Sequence, residues 1–230
     1  MSLTNDEVEK IASRDRTLQN RDLMKQLIIA STNKHKISEL SQMLASHDYE
    51  VLGIDKFPTY KAPKETGKTF LENARLKAQA LKKFLQQVKK PKEGRLILAD
   101  DSGIACDDLN GAPGIFSARY ARGDASDASN NRKLIKELQK VTEPKLTARY
   151  VCVLVLIDDT GKEWDMTETC EGQIVITPQG TSGFGYDPHF FIPTFGKTMA
   201  ELDAETKNQI SHRGKAFKKL ASHLKVANVI

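Results

Sequence analysis

Apolar positions along this chain fall into short runs and helix-spaced sets, and their order predicts alternating strands and helices. Leu27-Ile28-Ile29-Ala30 reads as a buried strand. Ile37, Leu40 and Leu44 recur at three and four residues, which predicts a helix after it. Residues 49–54 form a second candidate strand. Residues 57–64, with Pro58 and Pro63, read as a loop. Thr69 and Glu72 have capping-box spacing. Behind them Phe70, Ala74, Ala78, Leu81, Leu85 and Val88 share one helix face, and Pro91 and Gly94 end it. Leu96-Ile97-Leu98-Ala99 is a third strand that runs into Asp100-Asp101.

The second half has longer strands. Residues 111–123 read as a loop and 130–141 as a helix. Residues 148–157 form a valine-rich strand, and 173–177 a further one. A glycine-rich loop covers 180–185. The end, from about Glu205, is helical with Ile210, Phe217, Leu220 and Leu224 inward. This order predicts an α/β protein with a long mixed β-sheet and flanking helices, forming two lobes around a central cleft. Residues 27–230 read as a single two-lobed domain. Residues 1–26 read as an N-terminal extension, with weak helical spacing at Val8, Ile11 and Leu18.

Composition narrows the class. The 230 residues are 39% hydrophobic and 28% charged, within the globular range. The longest apolar run, 150–157, is far short of the ~20 residues of a membrane span. Residues 1–26 have no apolar core, which argues against a secretory signal, and their acids argue against a mitochondrial leader, so the expected location is the cytoplasm. Cys106, Cys152 and Cys170 lie far apart with no CxxC pair, which argues for free thiols and against a structural zinc site. The net charge of +5 is local. Residues 61–95 hold eleven Lys or Arg against three acids, a field that attracts polyanions or a solvated helix face.

Two glycine patterns are decoys. Gly67-Lys68-Thr69 resembles the end of a P-loop, but Ala62 stands where the first glycine belongs. Gly180, Gly183 and Gly185 invert the dinucleotide-binding spacing and precede Asp187-Pro188 rather than a helix.

Five polar clusters remain. Ser31, Thr32, Asn33, Lys34, His35 and Lys36 lie between the first strand and helix. They suit a phosphate-binding turn or a plain helix cap. Asp100-Asp101-Ser102-Gly103 follows a strand, where open α/β sheets place ligands. Carboxylates without neighbouring histidine suit Mg²⁺, although adjacent strand residues point opposite ways. Glu65 is a candidate second metal ligand, and Glu72 a cap. Phe184-Gly185-Tyr186-Asp187 offers an aromatic face and an acceptor for a base. Ser211-His212-Arg213 adds donors.

In this order the clusters resemble the inosine triphosphate pyrophosphatase family, and its bacterial branch most. The resemblance runs from about Leu27 to Leu224. It rests on residues 31–36, 65–78 (ETGKTFLENARLKA), 100–120 (DDSGIACDDLNGAPGIFSARY), 183–188 (GFGYDP) and 207–213 (KNQISHR). It implies two α/β lobes around a long mixed sheet and a homodimer. It implies Mg²⁺-dependent hydrolysis of ITP, dITP and XTP to the monophosphate and pyrophosphate. By the same resemblance Ser31 to Lys36 bind the triphosphate, and Glu65 and Asp101 hold the metal. Asp101 is also the general base, and Ser102 contacts substrate. Phe184, Gly185, Tyr186, Asp187, Lys207, His212 and Arg213 contact base and phosphate. The chain departs from the family in its extension before Leu27. It also carries Ser31 and His35 where bacterial members often show Thr and Gly.

GTP shares the 6-oxo group of ITP, so its exclusion needs a second device. Partners other than a purine nucleoside triphosphate and a second subunit are not expected, neither nucleic acid nor membrane. The competing readings are a nucleic-acid-binding module using residues 61–95 and a pyrophosphatase for pyrimidine triphosphates.

Overall fold

The computed structural model describes residues 25–44, 49–88, 94–123 and 125–226. Most of the extension expected over residues 1–26 lies outside these, as does Pro91.

Strand β1 (Lys25–Ile29) feeds helix α1 (Lys34–Leu44), and β2 (Tyr49–Gly53) follows. Helix α2 (Phe70–Val88) leads to β3 (Leu96–Cys106). Helix α3 (Asp127–Leu138) precedes the long antiparallel pair β4 (Thr147–Ile157) and β5 (Glu163–Ile174). Short strands β6 (Phe190–Ile192) and β7 (Lys197–Thr198) and helices α4 (Ala204–Ile210) and α5 (His212–Val226) complete the chain. The strands form one sheet of order β2-β1-β3-β4-β5-β6-β7. β2, β1 and β3 are parallel, and every later pairing is antiparallel. This is the mixed sheet the sequence predicted.

Strand alternation builds the core. Leu27, Ile29, Leu96, Leu98, Leu154 and Leu156 face one side and pack with Leu40 of α1 and Phe217 and Leu220 of α5. Ile28, Ile97, Ala99, Val153, Val155 and Ile157 face the other and pack with Ala74, Ala78, Leu81 and Leu85 of α2. Each such buried Leu contributes about 1.5–3 kcal/mol. A third cluster lies further along β3 and β4. There Ile104, Tyr150, Ile174 and Phe190 meet Leu134 and Leu138 of α3.

Four elements differ from expectation. β3 does not stop at Ala99. It continues to Cys106, because Asp100 to Cys106 stay in register with β4 from Leu154 to Ala148. The acid pair therefore sits mid-strand. β5 begins at Glu163, ten residues before the strand expected at 173–177. The loop at 111–123 contains a 3₁₀ turn, Gly114–Arg119. The C-terminal helix is two helices broken at Ser211, whose hydroxyl accepts from the Gly214 N–H at 3.1 Å. Val88 is 51% exposed, because α2 outlasts the core cluster that ends at Leu85.

The site arises where β1 ends. β1 pairs with β3 only through Leu96, Ile97 and Leu98. Beyond that point the β3 edge is covered by the 114–119 turn, with Ser117 Oγ accepting from the Ile104 N–H at 2.9 Å. This change of neighbour along one strand edge leaves a crevice, as expected where sheet topology switches.

Candidate active site

The crevice is a cavity of about 530 Å³, walled by both ends of the sheet. Asp100 and Asp101 enter it from opposite sheet faces, as strand alternation requires. Both are buried, at 1% and 7% exposure.

Asp100 lies on the α1 and α5 side. It accepts from Lys36 Nζ, from Ser102 Oγ at 3.2 Å and from Cys152 Sγ at 3.2 Å. Arg213 Nε lies 3.6 Å away. Burial alone raises this carboxyl, but the charges of Lys36 and Arg213 prevail and hold it well below the usual carboxylate range. Asp100 thus ties the first turn of α1 to the first turn of α5. An unpaired charge here costs several kcal/mol, so these groups stand or fall together.

Asp101 lies on the α2 side. Its Oδ1 accepts from Lys77 Nζ at 2.7 Å, and the same ammonium donates to Glu65 Oε1 at 3.1 Å. The other oxygen, Oδ2, is buried with no hydrogen-bond partner among the described residues. Burial raises the Asp101 carboxyl more than Lys77 lowers it. Burial lowers Lys77, but Asp101, Asp100 and Glu65 raise it further and keep it charged. Burial also raises Glu65, but Lys77 and a bond from Arg119 outweigh it.

Hard carboxylate oxygens with one buried oxygen free fit a divalent cation such as Mg²⁺. Among the described residues no three His, Cys, Asp or Glu gather into a complete metal cage. Two carboxylates suit Mg²⁺, which usually keeps several waters and binds through substrate phosphates.

The turn after β1 supplies the candidate phosphate contacts. Asn33 Oδ1 accepts from the backbone N–H groups of His35 (3.0 Å) and Lys36 (3.3 Å), and Ser31 Oγ from that of Asn33 (3.1 Å). Asn33 and Ser31 therefore do cap the helix. Ser31, Thr32, Asn33 and Lys36 also line the cavity, whereas Lys34 and His35 do not.

The candidate base contacts converge on Phe184. Lys207 Nζ lies 4.9 Å from the ring centroid and the Arg213 guanidinium carbon 5.6 Å. His35 is stacked on the same ring at 5.0 Å and 15°. Asp187 is occupied by its own loop, by β4 and by α4. It accepts from Tyr150 Oη (3.0 Å), the Phe184 N–H (3.0 Å) and Lys207 Nζ (2.9 Å). Tyr186 is buried, and its hydroxyl donates to the Ser117 carbonyl at 2.7 Å. Arg213 bonds Ser102 Oγ at 3.1 Å and pairs with Glu39. Glu39 also pairs with Lys207 at 3.1 Å. His212 stacks on Tyr150 at 4.6 Å, and its Nδ1 is buried without a partner among the described residues. Burial and then the Arg213 charge hold this imidazole well below its usual range, so it is neutral at neutral pH. The break at Ser211 is what turns His212 and Arg213 inward.

The Ham1 family model matches residues 27–223. The chain belongs to the Ham1 family. A dITP/XTP pyrophosphatase from Listeria innocua is 46% identical over 201 residues, which is 87% of this chain and 95% of that protein. One from Geobacillus kaustophilus is 45% identical over 86% of this chain and 93% of its own. Among solved structures, the Staphylococcus aureus Ham1 protein superposes with a TM-score of 0.76 at 39% identity, covering 88% of this chain and all of that one. A Ham1 protein from Coxiella burnetii has the same TM-score at 35% identity, covering 88% of this chain and 99% of its own.

In this Ham1 chain, sequence reading missed Lys77, Arg119 and Glu39 and left open whether Asp100 assists metal binding. Lys77 carried a signal: it lies three after Ala74 and four before Leu81, on the apolar face of α2. A lysine at such a position must find anionic partners. Glu39 and Arg119 carried none. Gly67-Lys68-Thr69 is a helix start: Thr69 Oγ1 accepts from the Glu72 N–H at 3.1 Å, and Glu72 reaches the Lys68 N–H at 2.6 Å. Of the basic run, Lys64 and Lys77 line the cavity, while Lys61, Lys68, Arg75 and Lys83 are exposed.

Proposed function

We propose that this chain hydrolyses ITP, dITP and XTP to the nucleoside monophosphate and pyrophosphate, using Mg²⁺. One observation carries the reading. A single cavity holds an acid pair with a free buried carboxylate oxygen, a set of lysines, and an aromatic ring flanked by cations. The names of the Listeria and Geobacillus relatives support the same reaction.

Water attacks the α-phosphorus, and the bond from that phosphorus to the oxygen bridging to the β-phosphorus breaks. Asp101 takes a proton from the attacking water. Lys77 holds Asp101 and Glu65 in place from α2. Lys36 and Lys207 take up phosphate charge that grows on the pyrophosphate leaving group. Glu65 and Asp101 would hold Mg²⁺, which would supply further neutralisation of the triphosphate. Phe184 offers the base a stacking face, and Arg213 and His212 offer donors to the 6-oxygen. ATP presents an amine there, and each unsatisfied buried donor costs about 1–3 kcal/mol, roughly tenfold to a hundredfold.

The reading also takes the protein as a cytoplasmic homodimer. Free buried thiols at Cys106, Cys152 and Cys170 support a reducing compartment. No helix among the described residues is long and apolar enough to cross a membrane.

Hydrolysis of ITP in ¹⁸O-water tests the site of attack. Label in IMP is expected. Label in inorganic phosphate or in pyrophosphate places the attack on another phosphorus and overturns the mechanism.

A further inference from the structure

Two polar residues of α3 have no part in the chemistry above. Asp127 stands in its first turn and Asn131 four residues on, so both lie on one helix face. They grip one residue of the Phe184 loop from both sides. Asp127 Oδ2 accepts from the Gly185 N–H at 2.6 Å, and Asn131 Nδ2 donates to the Gly185 carbonyl at 2.8 Å. Gly185 follows Phe184 directly and has φ +65°, the left-handed region that favours glycine. Among the described residues nothing lies within 4 Å of where its Cβ would stand, so the demand there is conformational rather than steric.

The helix that grips the loop is itself fixed. Leu134 and Leu138 are fully buried in the third cluster. Ser126 caps the helix, its hydroxyl accepting from the Ser129 N–H. Asn130 is buried and holds the 3₁₀ turn and its exit, accepting from the Ala121 N–H at 2.8 Å and donating to the Ala118 carbonyl. A carboxylate in the first helical turn is also favoured by the helix dipole. The two bonds require an acceptor at 127 and a donor at 131.

We propose that Asp127 and Asn131 are positioning residues for base recognition. By holding both backbone groups of Gly185 they fix the plane of Phe184, and so set affinity for the purine. This deepens the pyrophosphatase reading and rests on it. Asp127 also lines the cavity, but a carboxylate repels phosphate and the Asn131 amide donates to Gly185, so neither is assigned to the phosphates. Their loss therefore weakens nucleotide binding and spares the chemical step, since interactions shared by ground and transition states appear in KM.

The test is steady-state hydrolysis of ITP by the full chain and by Asn131→Asp, Asp127→Ala and Asp127→Asn, with thermal melting of each. Asn131→Asp keeps the shape but sets a carboxylate against a carbonyl. We expect KM to rise about tenfold in Asn131→Asp and Asp127→Ala, with kcat within about twofold. Asp127→Asn keeps an acceptor oxygen and should stay within about threefold of the parent KM. Unchanged KM in Asn131→Asp overturns the proposal. So does a fall in kcat alone, or a rise in KM that Asp127→Asn shares in full. If Asp127→Ala does not fold, Asn131→Asp and Asp127→Asn decide. A parent protein without ITP turnover sinks the pyrophosphatase reading itself, whereas an active parent with unaltered variants sinks this inference alone.

Discussion

Asp101 and Asp100 are chemically identical neighbours with different work, and the difference comes from what each sheet face offers. Asp100 is saturated by Lys36, Arg213, Ser102 and Cys152, which makes it a brace. Asp101 keeps a buried oxygen free. Asp101→Asn is therefore expected to lower kcat by more than about a hundredfold with KM changed only a few-fold, measured by pyrophosphate release. An unchanged kcat removes Asp101 from the mechanism. Glu65→Gln keeps the shape but loses a charge. It should raise the Mg²⁺ concentration for half-maximal activity about tenfold, and weaken Mn²⁺ binding followed by electron paramagnetic resonance. Wild-type metal affinity in that variant excludes Glu65 as a ligand. At this scale the sequence showed which residue types cluster but not their partners. Strand alternation foretold that the two acids diverge. It could not foretell that Asp187 is spent on Tyr150, Phe184 and Lys207, because that depends on three distant elements meeting.

Elements were legible where their apolar pattern was strong. α2 shows a clear stripe, and its face was read correctly up to Leu85. β5 was read only at its far end. Its buried positions, Met166, Cys170 and Ile174, are four apart, and acids along the strand are matched by Arg75, Arg149 and Lys219 from neighbouring elements. Such a strand is specified by its partners more than by its own alternation. The acids at positions 100 and 101 looked like a strand end because buried carboxylates are costly. The strand continues because Lys36, Arg213 and Lys77 offset that cost from both sides. Gly103 then lets the 114–119 turn close on β3. A Cβ there would stand 2.3 Å from Ser117 Oγ and 2.6 Å from the Gly114 carbonyl oxygen. Gly103→Ala is expected to destabilise the fold by about 1–3 kcal/mol in urea unfolding, as overpacking does. Unaltered stability means that the turn is looser than this packing requires.

For the whole molecule, the parallel strands β2, β1 and β3 and the antiparallel strands β4 to β7 share β3 as their common member. The reacting groups, the lysines and the aromatic ring meet where that shared strand loses β1. A triphosphate of the wrong base would fill the phosphate end equally well, so the proposed reading assigns discrimination to Phe184, His212 and Arg213. The direct measurement is pyrophosphate release from ITP, dITP, XTP, GTP, ATP and dTTP, each with Mg²⁺ and with EDTA. Fast turnover of ITP, dITP and XTP, about tenfold or more above ATP and abolished by EDTA, is the predicted result. Absence of turnover on all six, or equal turnover of ATP and ITP, contradicts the account.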